Sequence, residues 1–244
     1  KILKFLTFLL FYFLSPILFL FIKLLKPFKT IRITPLLSNR YGHLVLNPEF
    51  YILEKLNNEH NDCLDLFYTV RYGVCNNVVL KMWKRKIKIF PHYILEPLHK
   101  ISDKFAKNKN IHTINFFNSK IRDTFGNFEK YPPSIFLDES QKKKCIEILN
   151  KFNIDFQNKK FVCLFNRDDA YLNSGIYKKN WYYLSHHNYK INTFEKAARK
   201  LSSNNIMVFR MGAKVEDEFN LNDPNIIDYA NSDFQSELMD VFLA

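Results

Sequence analysis

The sequence predicts an α/β protein made of parallel β-α units in two successive domains, behind an apolar N-terminal helix. Three observations lead there. Short apolar, β-rich runs alternate with helical patterns along residues 30–244, which is how parallel β-α units read. The alternation breaks at Tyr131-Pro-Pro-Ser134 and then restarts, as it does across a linker. Residues 5–22 carry no charge. The expected division is a membrane anchor over 1–29, a first domain over 30–133 and a second over 134–244.

The uncharged run is about 27 Å long as a helix, against a hydrocarbon core of about 30 Å. Lys1 and Lys4 precede it, and Lys23, Lys26, Lys29, Arg32 and Arg40 follow. A run apolar on all faces between lysines favours a membrane segment over a buried core helix. No small-x-small site follows it, which argues against a cleaved signal peptide. The excess of positive charge on its C-terminal side predicts that the folded part lies on the cytoplasmic side of the membrane. Ser15-Pro16 predicts a kink, and a kinked helix could also lie in the membrane plane. As an anchor apart from the folded domains, the segment could be removed to leave a soluble remainder.

In the first domain the pattern predicts a strand over 30–33, a loop over 38–43, a helix over 44–56 and a strand over 63–70. A helix over 76–86, a strand over 88–90, a helix over 93–105 and a strand over 111–117 follow. In the second, 139–153 is an amphipathic helix with Cys145, Ile146, Leu149 and Phe152 on one stripe. The continuous apolar run 161–165 reads as a central parallel strand. Asn192 and Glu195 resemble a capping box at the start of the next helix. Strands over 206–209 and 225–229 precede a last helix, capped by Ser232 and Gln235, with Leu238, Val241 and Phe242 facing inward. The chain starts at Lys1 and ends at Ala244 inside that helix, which predicts a piece of a longer protein, inactive by itself, with its second domain incomplete.

Composition removes several function classes. The 5 glycines are Gly42, Gly73, Gly126, Gly175 and Gly212, too sparse for a dinucleotide or P-loop phosphate cradle. Cys63, Cys75, Cys145 and Cys163 form no C-x-x-C and read as small buried hydrophobes. The net charge of +12 could indicate nucleic acid, but half of it sits in residues 1–32, before the first acid at Glu49. The remainder is mixed in sign, so no nucleic-acid partner is expected. One dense basic stretch, 81–88, reads as a solvated helix face or a contact with lipid head groups.

Four segments together carry a resemblance: Arg40-Tyr-Gly-His-Leu44 with Asn47-Pro-Glu49; Phe161-Val-Cys-Leu-Phe-Asn-Arg-Asp-Asp-Ala-Tyr-Leu172; Asn205-Ile-Met-Val-Phe-Arg-Met-Gly-Ala213; and Asp223-Pro-Asn-Ile-Ile-Asp-Tyr-Ala230. Over residues 30–244 the chain resembles a family of bacterial glycosyltransferases associated with surface-polysaccharide gene clusters. The resemblance implies a GT-B-like pair of Rossmann-like domains, the first on the acceptor side and the second on the donor side, with a cleft between them. It implies transfer of a sugar from a nucleotide-sugar donor to a lipid-linked or cell-surface glycan acceptor, without a metal or other cofactor. Two departures stand out. The family carries an arginine near His187-Asn188, absent here, and its next strand and loop would lie beyond Ala244.

A departing nucleoside diphosphate develops negative charge that, without a metal, calls for arginine, lysine or a helix N-terminus. Ligands of parallel sheets bind at the C-terminal ends of strands. Arg167 and Arg210 stand at two such ends, and Gly212 would let the backbone approach a phosphate, which makes these three the donor-binding candidates. Arg167 could instead pair with Asp168 or Asp169. His43, just after the first strand, is a candidate base for an acceptor hydroxyl, or else a helix-capping or core histidine; Asp168 is the second candidate base. Glu49 lies on another face of the same helix. His186-His187 has no carboxylate at ligand spacing, so no metal site is expected. Tyr171, Trp181, Tyr182 and Tyr183 could stack on a base or sugar, or pack in the core. Two other readings remain: a nucleotide-sugar isomerase of the same fold, and a non-catalytic, membrane-tethered interaction module.

Overall fold

The computed structural model describes residues 2–56, 63–105, 123, 126–156, 158–174 and 186–244. The expected strand over 111–117 and the aromatic residues 181–183 lie outside them. The chain divides into two compact units, Lys1–Phe136 and Leu137–Ala244.

In the first unit α1 (Ile2–Leu25) leads into β1 (Thr30–Leu36), α2 (Tyr41–Leu56), β2 (Cys63–Thr69), α3 (Asn77–Lys84), β3 (Ile89–Phe90), α4 (His92–Phe105) and the short α5 (Asn127–Lys130). The strands form one parallel sheet in the order β1-β2-β3. Strand alternation sends the two sets of side chains to opposite faces. Ile33 and Tyr68 point to the face where Phe19 and Ile22 of α1 and Leu95 and Leu98 of α4 close a core. On the other face Phe67 meets Tyr51 of α2 edge to face at 4.9 Å.

The helix α1 therefore belongs to the packing of this unit. Its less exposed positions, among them Phe8, Phe11, Ser15, Leu18, Phe19, Ile22 and Leu25, recur at helical spacing along one stripe. The helix runs on through Pro16, the site of the expected kink. Proline removes one backbone donor there, and the Ser15 hydroxyl donates to the Phe11 carbonyl beside it. Among the positive charges that flank the run, Arg32 is buried and paired inside the sheet, which removes it from any surface role.

The second unit comprises α6 (Glu139–Lys151), β4 (Phe161–Leu164), α7 (Ala170–Asn173), a 3-10 turn (Ile191–Phe194), α8 (Glu195–Ser203), β5 (Met207–Arg210), β6 (Ile226–Ile227), a second 3-10 turn (Tyr229–Asn231) and α9 (Glu237–Leu243). Its parallel sheet runs β4-β5-β6. Met207 and Phe209 join Cys145 and Leu149 of α6 and Met239 and Leu243 of α9 in one core. Val208 faces the other way, toward Ile191, Ala198 and Phe219. Helices thus cover both faces, and the central strand buried on both is β5. The run 161–165 forms the edge strand instead: Val162 and Phe165 are exposed, because β4 pairs with β5 alone among the described residues.

Capping differs from expectation at two helices. Asn192 lies inside the 3-10 turn, and α8 starts at Glu195 with no side-chain cap. The last helix is capped by Ser236, whose hydroxyl accepts from Met239 N at 3.2 Å. Ser232 donates to the Tyr229 carbonyl, and Gln235 reaches the Gly212 carbonyl. This later start turns Met239 and Leu243 fully inward, with Leu238 and Phe242 packed beside them. A full capping box, Asp138 with Gln141, opens α6. Between β5 and β6 the chain crosses through 211–225 without a helix.

Candidate functional site

The C-terminal ends of β4 and β5 gather the polar residues of the second unit. Leu164 pairs with Arg210 in the parallel register, so residues 165–169 and 211–215 leave the same edge of the sheet side by side. Asn166 stitches this edge: its Oδ1 accepts from Arg210 Nε at 3.4 Å, and its Nδ2 donates to the Tyr189 carbonyl at 3.2 Å. Tyr189 N in turn donates to the Arg167 carbonyl at 2.9 Å. The segment 186–190 is held against the strand end in this way.

Arg210 is completely buried. Its Nη1 is 3.1 Å from Asp228 Oδ1, and the other oxygen of Asp228 accepts from Phe219 N and Asn231 Nδ2. Among the described residues its Nη2 has no hydrogen-bond partner, and neither do the buried atoms Asp169 Oδ1 and Asn188 Oδ1. Arg167 is half-buried, and no ion pair joins it to Asp168 or Asp169 among the described residues. Both oxygens of Asp168 are taken by backbone: Oδ1 accepts from Ala170 N and Oδ2 from Glu216 N. Asp168 thus ties the two strand-end loops together, a duty that competes with acting as a base.

Gly212 has φ +156°. A Cβ there would stand 2.5 Å from Val215 Cγ1 and 3.5 Å from Ala230 Cβ, so the glycine is required by its own neighbours. That is a different reason from the open backbone approach expected of it.

In the first unit His43 stands half-buried in the first turn of α2, at the C-terminal edge of β1. The turn before it is braced by Ser38, whose hydroxyl donates to Gly73 O at 2.8 Å and accepts from Val70 N. In front of Gly42 nothing lies within 4 Å of a would-be Cβ. Glu49 is committed elsewhere: its carboxylate accepts from the backbone and hydroxyl of Ser134.

Sequence reasoning missed the buried cluster at the opposite end of this sheet. Arg32 grips Asp65 with two bonds, Nε to Oδ1 at 2.6 Å and Nη2 to Oδ2 at 2.9 Å. Tyr51 donates to Asp65 Oδ2 at 2.6 Å, and Lys55 lies 3.6 Å from it. Burial works to raise the Asp65 carboxyl, but the bonds from Arg32 and Tyr51 outweigh it and hold the group below the usual carboxylate range. Burial, helped by Asp65, pushes the Tyr51 hydroxyl up. The one signal in the sequence was a charged residue in each of two apolar strands. Tyr51, Lys55 and Asp65 line an open pocket of about 490 Å³ with Cys63, Lys86 and Lys88, at the N-terminal strand ends and away from His43. Among the described residues no three His, Cys, Asp or Glu side chains form a group that could hold a metal ion.

Comparison with protein-family profiles, with curated proteins and with solved structures finds no match for this chain.

Proposed function

We propose that the chain is part of a membrane-bound glycosyltransferase with the GT-B plan, transferring a sugar from a nucleotide donor to a lipid-linked or cell-surface glycan, and that the donor diphosphate sits at the C-terminal edge of β4-β5-β6. One observation carries the reading: among the described residues of the second unit, the buried side-chain atoms that lack partners belong to Asp169, just past β4, to Arg210, the last residue of β5, and to Asn188, in the segment that Asn166 holds against that edge. Buried polar groups are paired nearly everywhere in folded proteins, so a cluster of exceptions marks a place prepared for something else. The resemblance of the strand-end segments to sugar-transfer enzymes supplies the chemistry.

In this proposal the half-buried Arg167 contributes charge, and Arg210, already neutralised in part by Asp228, contributes a directed N–H. Gly212 shapes the loop and Asp168 staples it. His43 is the acceptor-side base, since Asp168 is occupied.

The test titrates the protein with uridine and guanosine diphosphates and with the corresponding nucleosides. Arg167→Ala should weaken diphosphate binding about tenfold or more, roughly 1.4 kcal/mol, with melting temperature and nucleoside binding unchanged. Equal binding by variant and wild type removes Arg167 from the site. A donor altered without any acceptor would favour the isomerase, and absence of any nucleotide binding would favour the interaction module.

A further inference from the structure

We propose that α1 lies flat on an anionic membrane surface, its outer face sunk into the head-group boundary, and does not cross the bilayer. This placement of α1 goes beyond the sugar-transfer reading and does not depend on it.

The inner stripe of α1 runs from Phe8 to Leu25, about 25 Å at 1.5 Å per residue. That is most of a bilayer's hydrocarbon thickness. Over this length the helix is docked on α4 and β1. Those partners carry charge. The Arg71 guanidinium lies 4.8 Å over the Phe8 ring. It also grips Glu96 at 2.6 Å, and Lys100 lies 3.0 Å from the same carboxylate. His99 of α4 faces Asp103, and Lys100 and Lys104 are exposed. An upright α1 would carry this ionic helix into hydrocarbon, where charged side chains are costly. An α1 that let go of α4 would expose Ile33, Tyr68, Leu95 and Leu98. Only a helix parallel to the surface keeps its docking and still places its apolar side in lipid.

The outer side is built for that. Phe5, Phe13, Ile17, Leu20, Phe21 and Leu24 are each more than half exposed. Lys4, Lys23, Lys26 and Lys29 are exposed around them, with no acid before Glu49. Lys23 Nζ sits 4.8 Å over the Phe19 ring, at the border between the docked stripe and the outer face. A second copy of the same face would set lysines against lysines. An anionic leaflet takes up both the apolar stripe and the positive rim.

The experiment places single cysteines at Lys4→Cys and Phe28→Cys in the full chain and treats sealed bacterial membrane vesicles with an impermeant maleimide, the labelled peptide being identified by mass. Both positions should react from the same side. Lys4→Cys reacting only after detergent, while Phe28→Cys reacts without it, would show a spanning helix and overturn the proposal. In parallel, the purified protein is floated with phosphatidylcholine vesicles with and without about one-third phosphatidylserine. Recovery should be roughly tenfold higher on the anionic vesicles and fall by a similar factor in Phe13→Glu/Phe21→Glu. That double variant keeps the inner stripe, so its melting temperature reports whether it is folded. Equal recovery on both vesicle types, or no loss in the folded double variant, overturns the lipid assignment.

Discussion

Arg32 and Asp65 stand opposite each other in the register of β1 and β2, and their bidentate bond is sealed beneath Tyr51. A slip of either strand by one residue would send its own charge to the other face, into the core of Phe19, Tyr68 and Leu95, and leave the other charge unpaired. The pair is therefore a lock on strand register. Asp65→Asn should cost about 3–5 kcal/mol, because it leaves the Arg32 charge buried without its counter-ion. Its pH dependence has a definite sign. The folded Asp65 titrates below its unfolded value of about 3.9. The pair thus stabilises fully above that value and is lost as pH falls through the folded one. Thermal melting between neutral pH and about pH 3 should show wild type losing stability in acid over that window, with a smaller loss in Asp65→Asn. Identical acid profiles would remove Asp65 from the stability of the unit.

At the scale of elements, the helices and strands were legible where periodicity was long. The stripe of Cys145 and Leu149 defines α6 almost by itself, and β2 follows its apolar run from Cys63. Local patterns failed where tertiary pairing decides. A continuous apolar run suits a central strand, yet 161–164 lies at a sheet edge, while the shorter β5 takes the centre because helices pack on both its faces. The apolar helix α1 shows the same limit. Its composition fits a membrane segment, but only docking reveals that one stripe closes the core of the first unit. Removal of residues 1–29 should therefore give aggregated protein with Ile33, Tyr68, Leu95 and Leu98 uncovered. A monodisperse, cooperatively melting product in size-exclusion chromatography and circular dichroism would show α1 to be dispensable.

Among the described residues the core of the first unit shares no residue with the two buried clusters of the second. Each unit should unfold as its own cooperative event, giving a calorimetric trace with two components. Gly212→Ala would drive a methyl into Val215 at 2.5 Å with φ at +156°. It should lower only the second unit's component, by about 1–3 kcal/mol, just as Asp65→Asn lowers only the first. A single transition moved by both variants would mean that the units melt together. The alternation of strands and helices, the parallel sheets, the apolar N-terminal helix and the residues at strand ends were determined by the sequence itself, because periodicity and chain connectivity are local properties. Which polar groups are spent was decided only by tertiary structure. Asp168 closes a loop, Glu49 holds Ser134, Gly212 makes room for Val215, and Arg210 is paired yet keeps one donor unanswered. Those outcomes depend on neighbours brought in from up to 85 positions along the chain, and no local pattern encodes which side chain reaches them first.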